Sequence, residues 1–441
     1  MGPHRPRKFT RRTSPSCRVW RAAGPATIRA PACVDRPIAA ATPAAWNKFR
    51  SMPSGAARSF ISGARSGSVP DSVRLGLVNK FWGRDRGGVE AVLHAEAGDL
   101  AQRGFGVRVL ACRPWSSPPR PFPSGIEGRE LPAPVVAGMP VAAGFYPALR
   151  TLAAQSDLLH FHLPFPLAEA AALALPGHTR WIATLHAEVL DRPRWMTLPQ
   201  QEITRRFLER AEAIVVSSSS SAQCRALTAL QERVHVIPFG FDLRPFLQAG
   251  AQRRPKRWPV IAFLGRLVPY KGVDVLLRTA VSLAANVHIL GDGRERPALE
   301  RLTAQLGLGE RVRFYGHVPD AELPQRLHEA DVLALPSRTP AEAFGVAQVE
   351  AMATGLPVVN TTLATGTDWV SLHGLTGLTV APNDPAALAA ALRRLLEDRP
   401  FRLACGQRAR QRARALFSIE RRGAELAALF QDLLAVRRSA A

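Results

Sequence analysis

The chain is poor in cysteine. Its five cysteines, Cys17, Cys33, Cys112, Cys224 and Cys405, are scattered, odd in number and never spaced Cys-x-x-Cys. That excludes a disulfide framework and a cysteine-based metal cluster, and fits a reducing compartment. Acidic residues are also few: 35 Asp and Glu stand against 58 Lys and Arg, for a net charge of +23. Long apolar runs are missing. The longest uncharged stretch, LPAPVVAGMPVAAGFYPAL (131–149), is broken by four prolines and two glycines. A spanning helix needs ~20 apolar residues without such breakers, so this stretch reads as irregular loop. The N-terminus lacks the apolar core of a secretory signal, and no short internal repeat is visible.

What is present divides unevenly. Residues 1–72 carry 13 Lys and Arg against Asp35 and Asp71, nearly half of the net charge. This segment is rich in Pro, Ala, Arg and Ser and has no sustained periodicity, so it reads as a disordered basic tail. Three origins fit it: an organelle transit peptide, an arm for nucleic acid or membrane, or translation of GC-rich DNA upstream of the true start. With the tail set aside, a chain beginning near Ser68 is expected to fold on its own.

From Val73 the pattern changes. VRLGLVN reads as a buried strand, KFWGRDRGG as a loop, VEAVLHAEAGDLAQRG as a helix and VRVLACR as the next strand, a βαβ unit. Strands recur at DLLHFH, RWIATLH, AIVVSS and VHVIPFG. After a basic linker around residues 247–259, a second series alternates from VIAFLGR to GLTVAP. Two doubly wound parallel sheets in tandem follow from this alternation. The predicted units are a Rossmann-like domain over residues 73–246, a second over 247–417, and a C-terminal helix over 418–441 that packs back on the first.

Doubly wound sheets bind ligands at the C-terminal ends of their strands. In GRLVPYKG, Arg266 and Lys271 sit after a strand and before a helix, where two cations and free backbone N–H groups suit a pyrophosphate. Taken alone, they read equally as solvated surface cations. In EAFGVAQVE, Glu342 and Glu350 flank a helix start at Gly345. The helix itself is nearly all small or apolar, so Glu350 is expected to be confined, and sugar hydroxyls suit such carboxylates. A helix-dipole Glu beside a solvated Glu fits the same letters. His186 in TLHAE reads alone as an ordinary loop or core histidine, and Gly87-Gly88 as a turn. His160 and His162 alternate on a strand, but no third metal ligand is apparent in the sequence, which favours packing or acceptor contact.

Together, GRLVPYKG, GDGRERPALE, EAFGVAQVEAMATGLPVV and HGLTGLTV…DPAALAAAL resemble the family 4 glycosyltransferases, which have the two-domain GT-B fold. VNKFWGRDRGGVE and TLHAE resemble the same family's first domain. The resemblance spans residues 73 to 435. It implies a retaining hexosyltransferase acting on a nucleotide-diphosphate sugar. It places Glu342 at the transferred sugar, Glu350 at the ribose hydroxyls, and Arg266 and Lys271 on the diphosphate. It places Gly87 and Gly88 across the cleft from the donor phosphate, His186 near the reacting carbon, and the backbone of Phe344, Gly345 and Val346 against the sugar and phosphate. With no protein nucleophile evident, front-face departure of the diphosphate is implied.

TTLATGTDWVSLHGLTGL is similar to a segment of mannosyl- and rhamnosyltransferases of bacterial O-antigen assembly. These use GDP-sugars and polyprenyl-diphosphate-linked acceptors at the cytoplasmic face of the inner membrane, which implies peripheral membrane contact here. The chain departs from that pattern at Ala364, Asp368, Ser371, Ala343, Ala187 and Glu188, close to the expected sugar site. No Asp-x-Asp occurs. A cation-and-helix site stabilises a leaving diphosphate without metal, so no metal and no cofactor are expected. Two other readings compete. One is a nucleic-acid-binding protein using its basic charge, although the folded part shows no recognition motif. The other is a GT-B sugar phosphorylase.

Overall fold

The computed structural model describes residues 73–83, 88–136, 138–186, 194–248 and 258–438. The expectations for residues 1–72 and for Gly87, Ala187 and Glu188 lie outside the described residues.

The first unit runs β1 (Arg74–Phe81), α1 (Gly88–Gln102), β2 (Gly106–Pro114), β3 (Ile126–Ala133), β4 (Val135–Val136), β5 (Met139–Pro140), α2 (Phe145–Ala154), β6 (Leu158–Leu163), α3 (Pro166–Leu173), β7 (Trp181–Leu185), α4 (Arg194–Arg210), β8 (Ala213–Val216), α5 (Ser219–Ala222) and β9 (Val234–Val236). Seven of these strands form one parallel sheet in the order β3-β2-β1-β6-β7-β8-β9. Its central strands are apolar on both faces, as Leu75, Leu77, Val78, Phe161, Ile182 and Val215 show, because helices cover both sides.

The second unit runs α6 (Arg244–Gln248), β10 (Val260–Leu264), α7 (Val273–Ala280), β11 (Asn286–Leu290), α8 (Arg296–Gln305), β12 (Val312–Gly316), α9 (Leu323–His328), β13 (Val332–Leu335), α10 (Val346–Ala353), β14 (Val358–Thr361), α11 (Gly366–Val370), β15 (Gly377–Val380), α12 (Pro385–Glu397), α13 (Arg399–Leu416) and α14 (Ile419–Arg438). Its six-stranded parallel sheet has the order β12-β11-β10-β13-β14-β15.

Residues 131–149 differ from the irregular loop read in the sequence. They hold the end of β3, the antiparallel β4–β5 pair and the start of α2. Pro132 is tolerated because β3 is the outer strand of its sheet, where a missing N–H breaks no inner ladder. Among the described residues no helix is long and apolar enough to cross a membrane.

The chain crosses between units twice, and the crossings are fastened to each other. Phe241 donates its N–H to Phe417 O at 2.9 Å, and Ile419 donates back to Phe241 O at 3.0 Å. Phe239, Phe241, Leu243 and Phe246 pack in the same cluster as Val260, Leu333 and Met352, so packing changes sides ahead of the basic linker. After the second crossing, Leu426, Leu429 and Phe430 of α14 pack with Leu93, Leu100 and Phe105. Arg422, buried, donates from Nε and Nη2 to Glu96 Oε2 at 2.9 and 2.7 Å. It also donates from Nη1 to the carbonyls of Ile237 and Pro238 at 3.0 and 3.2 Å.

Candidate active site

Both sheets reverse strand order once, between β1 and β6 and between β10 and β13. Adjacent strands there send their connections to opposite faces, which opens a crevice beyond their C-terminal ends. In the second unit the loop after β10 carries Arg266 and Lys271, and the loop after β13 carries Glu342.

These loops are joined. Arg338 N–H donates to Tyr270 O at 2.7 Å. Gly272 ends the turn at φ +67°, and a β-carbon there would lie 2.1 Å from Pro336 O, so only glycine permits the approach. The join brings Lys271 Nζ to 2.5 Å from Glu342 Oε2. Ser337 Oγ donates to the same oxygen at 2.9 Å. Both charged groups are buried, and Arg266 is exposed.

Gly345 stands at φ +75° and starts α10. Beneath it Gln348, fully buried, donates to Phe344 O at 3.2 Å and accepts from Asn360 Nδ2 at 2.9 Å. Thr365 Oγ1 donates to Glu342 O at 2.8 Å, and Gly366 N–H to Ala343 O at 2.8 Å. The Glu342–Val346 segment is therefore held from below and beside by groups the sequence reading passed over: Ser337, Gln348, Asn360 and Thr365. Gln348 stood inside the quoted motif. A lone amide in an otherwise apolar helix is a signal, since it is buried only with partners. Glu350 lies one turn further along α10, partly exposed.

The first unit faces this segment. A β-carbon on Gly88 would come within 3.1 Å of Val346 Cγ2, so the N-terminal ends of α1 and α10 meet across the cleft. Two helix N-termini aimed at one space favour an anion. His186, just after β7, stacks on Phe239 at 4.7 Å between centroids and 15° between planes, and Phe239 meets Phe344 edge-on at 4.9 Å. The structure thus gathers Gly88, His186, Lys271, Glu342, Phe344, Gly345 and Val346 at one cleft, with Arg266 exposed on the loop that carries Lys271.

Behind His186 lies a buried polar cluster. His162 Nδ1 is 2.9 Å from His186 Nε2. Glu96 Oε1 is 2.8 Å from His160 Nδ1 and 3.4 Å from His162 Nε2, supplying the third group that the sequence did not reveal. These three side chains lie close enough to hold a metal ion, but the Arg422 guanidinium already supplies the carboxylate's counter-charge.

Burial pushes His162 down to about 4, only partly offset by Glu96. Burial, with the charges of His162 and Arg422, holds His186 well below the ordinary imidazole range. Burial opposes ionisation of Glu96, yet Arg422 and the two histidines keep it well below the usual carboxylate range. His162 therefore takes up its proton more readily unfolded, near 6.5, than folded. Its contribution to stability is complete above about pH 6.5 and is lost as pH falls toward 4, on the order of 3 kcal/mol. Urea midpoints at pH 7 and pH 4.5 are expected to show this loss, and His162→Phe is expected to shrink it. Equal slopes in both proteins would refute the assignment.

The chain matches two family descriptions, Glycosyltransferase Family 4 over residues 86–244 and Glycosyl transferases group 1 over residues 248–412. It is 30% identical to the GDP-mannose-dependent alpha-(1-6)-phosphatidylinositol monomannoside mannosyltransferase of Mycolicibacterium smegmatis, over 82% of this chain and 99% of that one. The chain belongs to the family 4 glycosyltransferases. This glycosyltransferase is also 28% identical to the D-rhamnosyltransferase WbpZ of Pseudomonas aeruginosa, over 75% of this chain and 88% of the relative. Its two-sheet architecture superposes on a sucrose-phosphate synthase of Thermosynechococcus elongatus with a TM-score of 0.69 at 22% identity, covering 82% and 99% of the two chains, and the fold is GT-B.

Proposed function

We propose that this glycosyltransferase moves a hexose, with retention of configuration, from a GDP-sugar to a lipid-linked or polysaccharide acceptor at a membrane surface. The observation that carries the reading is the buried Lys271–Glu342 pair at the β10/β13 crevice, facing the N-terminal ends of α1 and α10. A cation and two helix N-termini match the charge that grows on a departing diphosphate. A carboxylate held at 2.5 Å from that cation is placed to accept hydroxyls of the sugar joined to it.

In this reading Arg266 and Lys271 neutralise the diphosphate, and the amides of Gly345 and Val346 support it. Glu342 and His186 orient the sugar, and Glu350 takes the ribose. The anomeric C–O bond breaks, the diphosphate leaves, and the acceptor hydroxyl attacks the same face while its proton passes to a leaving phosphate oxygen. The mannosyl and rhamnosyl relatives favour GDP-mannose or a GDP-deoxyhexose. No divalent cation takes part, since Lys271, Arg266 and the helix ends supply the positive field.

The test is a panel of GDP-, UDP- and dTDP-sugars scored for thermal stabilisation and hydrolysis, with and without EDTA. GDP-mannose or a GDP-deoxyhexose is expected to raise the melting temperature most, and hydrolysis is expected to be unchanged by EDTA. Preference for UDP-sugars would overturn the donor assignment. Activity lost in EDTA and restored by Mn²⁺ or Mg²⁺ would overturn metal independence.

A further inference from the structure

We infer that Glu96 and His162 are positioning residues that fix the proton of His186 on Nε2 and leave Nδ1 as the hydrogen-bond acceptor offered to the donor sugar. The inference rests on the proposed reading in which His186 stands at the sugar.

His162 Nδ1 and His186 Nε2 are 2.9 Å apart, so one of the two nitrogens carries the shared proton. Both rings are buried and held neutral, so each has one N–H. If His162 Nδ1 carried the proton, its electron-rich Nε2 would lie 3.4 Å from the Glu96 carboxylate. A lone pair against an anion in a buried site is repulsive, and an N–H dipole there is attractive. The approach is off the hydrogen-bonding direction, so the carboxylate acts through its charge. It selects the form with Nε2–H on His162 and a bare Nδ1, and that bare Nδ1 then requires Nε2–H on His186.

The other groups around the pair agree with this selection. His160 turns its Nε2 to Thr184 Oγ1 at 2.7 Å and its Nδ1 to Glu96. Arg422 holds the carboxylate from its far oxygen and keeps it ionised. Phe239 covers the flat face of His186 and fixes the ring plane. Among the described residues, the charged and titratable groups acting on His186 are His162, Arg422, Glu96 and His160, supplied by the first-unit elements β6 and α1 and by α14. In the low-dielectric interior this arrangement makes His186 an acceptor for a sugar hydroxyl and unfits it to act as an acid at neutral pH.

Histidine ¹⁵N shifts of the unliganded enzyme at pH 7.5 read the tautomer directly, without turnover. The expected wild-type spectrum places the His186 proton on Nε2. His162→Phe leaves the Glu96–Arg422 pair intact and is the variant of choice; Glu96→Gln is the second. Each is expected to release the His186 tautomer into a mixture. Each is expected to lower kcat about tenfold while nucleotide affinity changes less than about twofold, since an acceptor to the sugar is lost and the phosphate site is not. A wild-type proton on Nδ1 would overturn the inference, as would wild-type kcat in both variants. One equivalent of bound metal in the purified enzyme would also overturn it, because Glu96, His160 and His162 would then be ligands. His186→Ala separates the two levels: an unchanged rate there overturns the placement of His186 at the sugar, whatever the tautomer.

Discussion

Lys271→Ala is expected to slow sugar transfer by about 10²-fold or more, with Arg266→Ala losing a comparable factor. Removing a single preorganised donor from a site of developing negative charge costs that much in other enzymes, and negative charge grows on the diphosphate as the glycosidic bond breaks. The two losses arise differently. Arg266 is exposed, so its removal takes away one charge and disturbs little else. Lys271 is buried against Glu342, so its removal also strands a carboxylate beside Ser337. The Glu342 side chain then loses the partner that aims it. Lys271→Ala combined with Glu342→Gln is therefore expected to be far less damaging than the product of the single effects, because the residues act as a unit. Single-turnover rates and nucleotide affinities check this. Near-wild-type turnover in both single mutants would remove the site from the β10/β13 crevice.

The second large effect concerns stability. Arg422→Met is expected to cost about 3–5 kcal/mol, the range for removing one partner of a buried ion pair. Arg422 is 1% exposed and Glu96 0%, so no water replaces the lost contacts. The carbonyls of Ile237 and Pro238 lose their donor at the same time. A fall in melting temperature on the order of 10 °C follows. Arg422→Lys is expected to rescue only part of it, because one ammonium cannot copy a fork that serves a carboxylate on one side and two carbonyls on the other. A melting temperature unchanged in Arg422→Met would show that the C-terminal helix is held by its apolar face alone.

The parts of the molecule that repeat locally were legible in the sequence. Alternating strands and helices announced two parallel sheets, and loops after strands pointed to Arg266, Lys271 and Glu342, because topology alone decides which ends bind. The apolar letters around Glu350 singled it out as well, and the resemblance added His186 and Gly88. What stayed hidden depends on long-range contact. Nothing in AVLHAEAGDL marks Glu96 as buried; its partner Arg422 lies 326 residues away, in a helix expected to pack back on the first unit but with no residue in it marked as that partner. His160 and His162 were visible as a pair, but their third neighbour was that same Glu96. The end of β3 was missed because proline counts against strands in general, whereas an outer strand tolerates it.

The Glu96–Arg422 contact also sets an order of events during synthesis. The first unit emerges from the ribosome with its sheet complete by Val236, yet the helix that covers α1 follows the whole of the second sheet. Elongation over the 186 residues from Val236 to Arg422 takes roughly 9–37 s at typical rates. Throughout that interval the Glu96 carboxylate of a nascent first unit lacks Arg422, and the cluster around Leu93 and Leu100 lacks Leu426, Leu429 and Phe430. The growing chain is therefore expected to be a client for chaperones until α14 arrives, and ribosome-bound intermediates stalled before Ile419 should be captured by them far more strongly than the released protein.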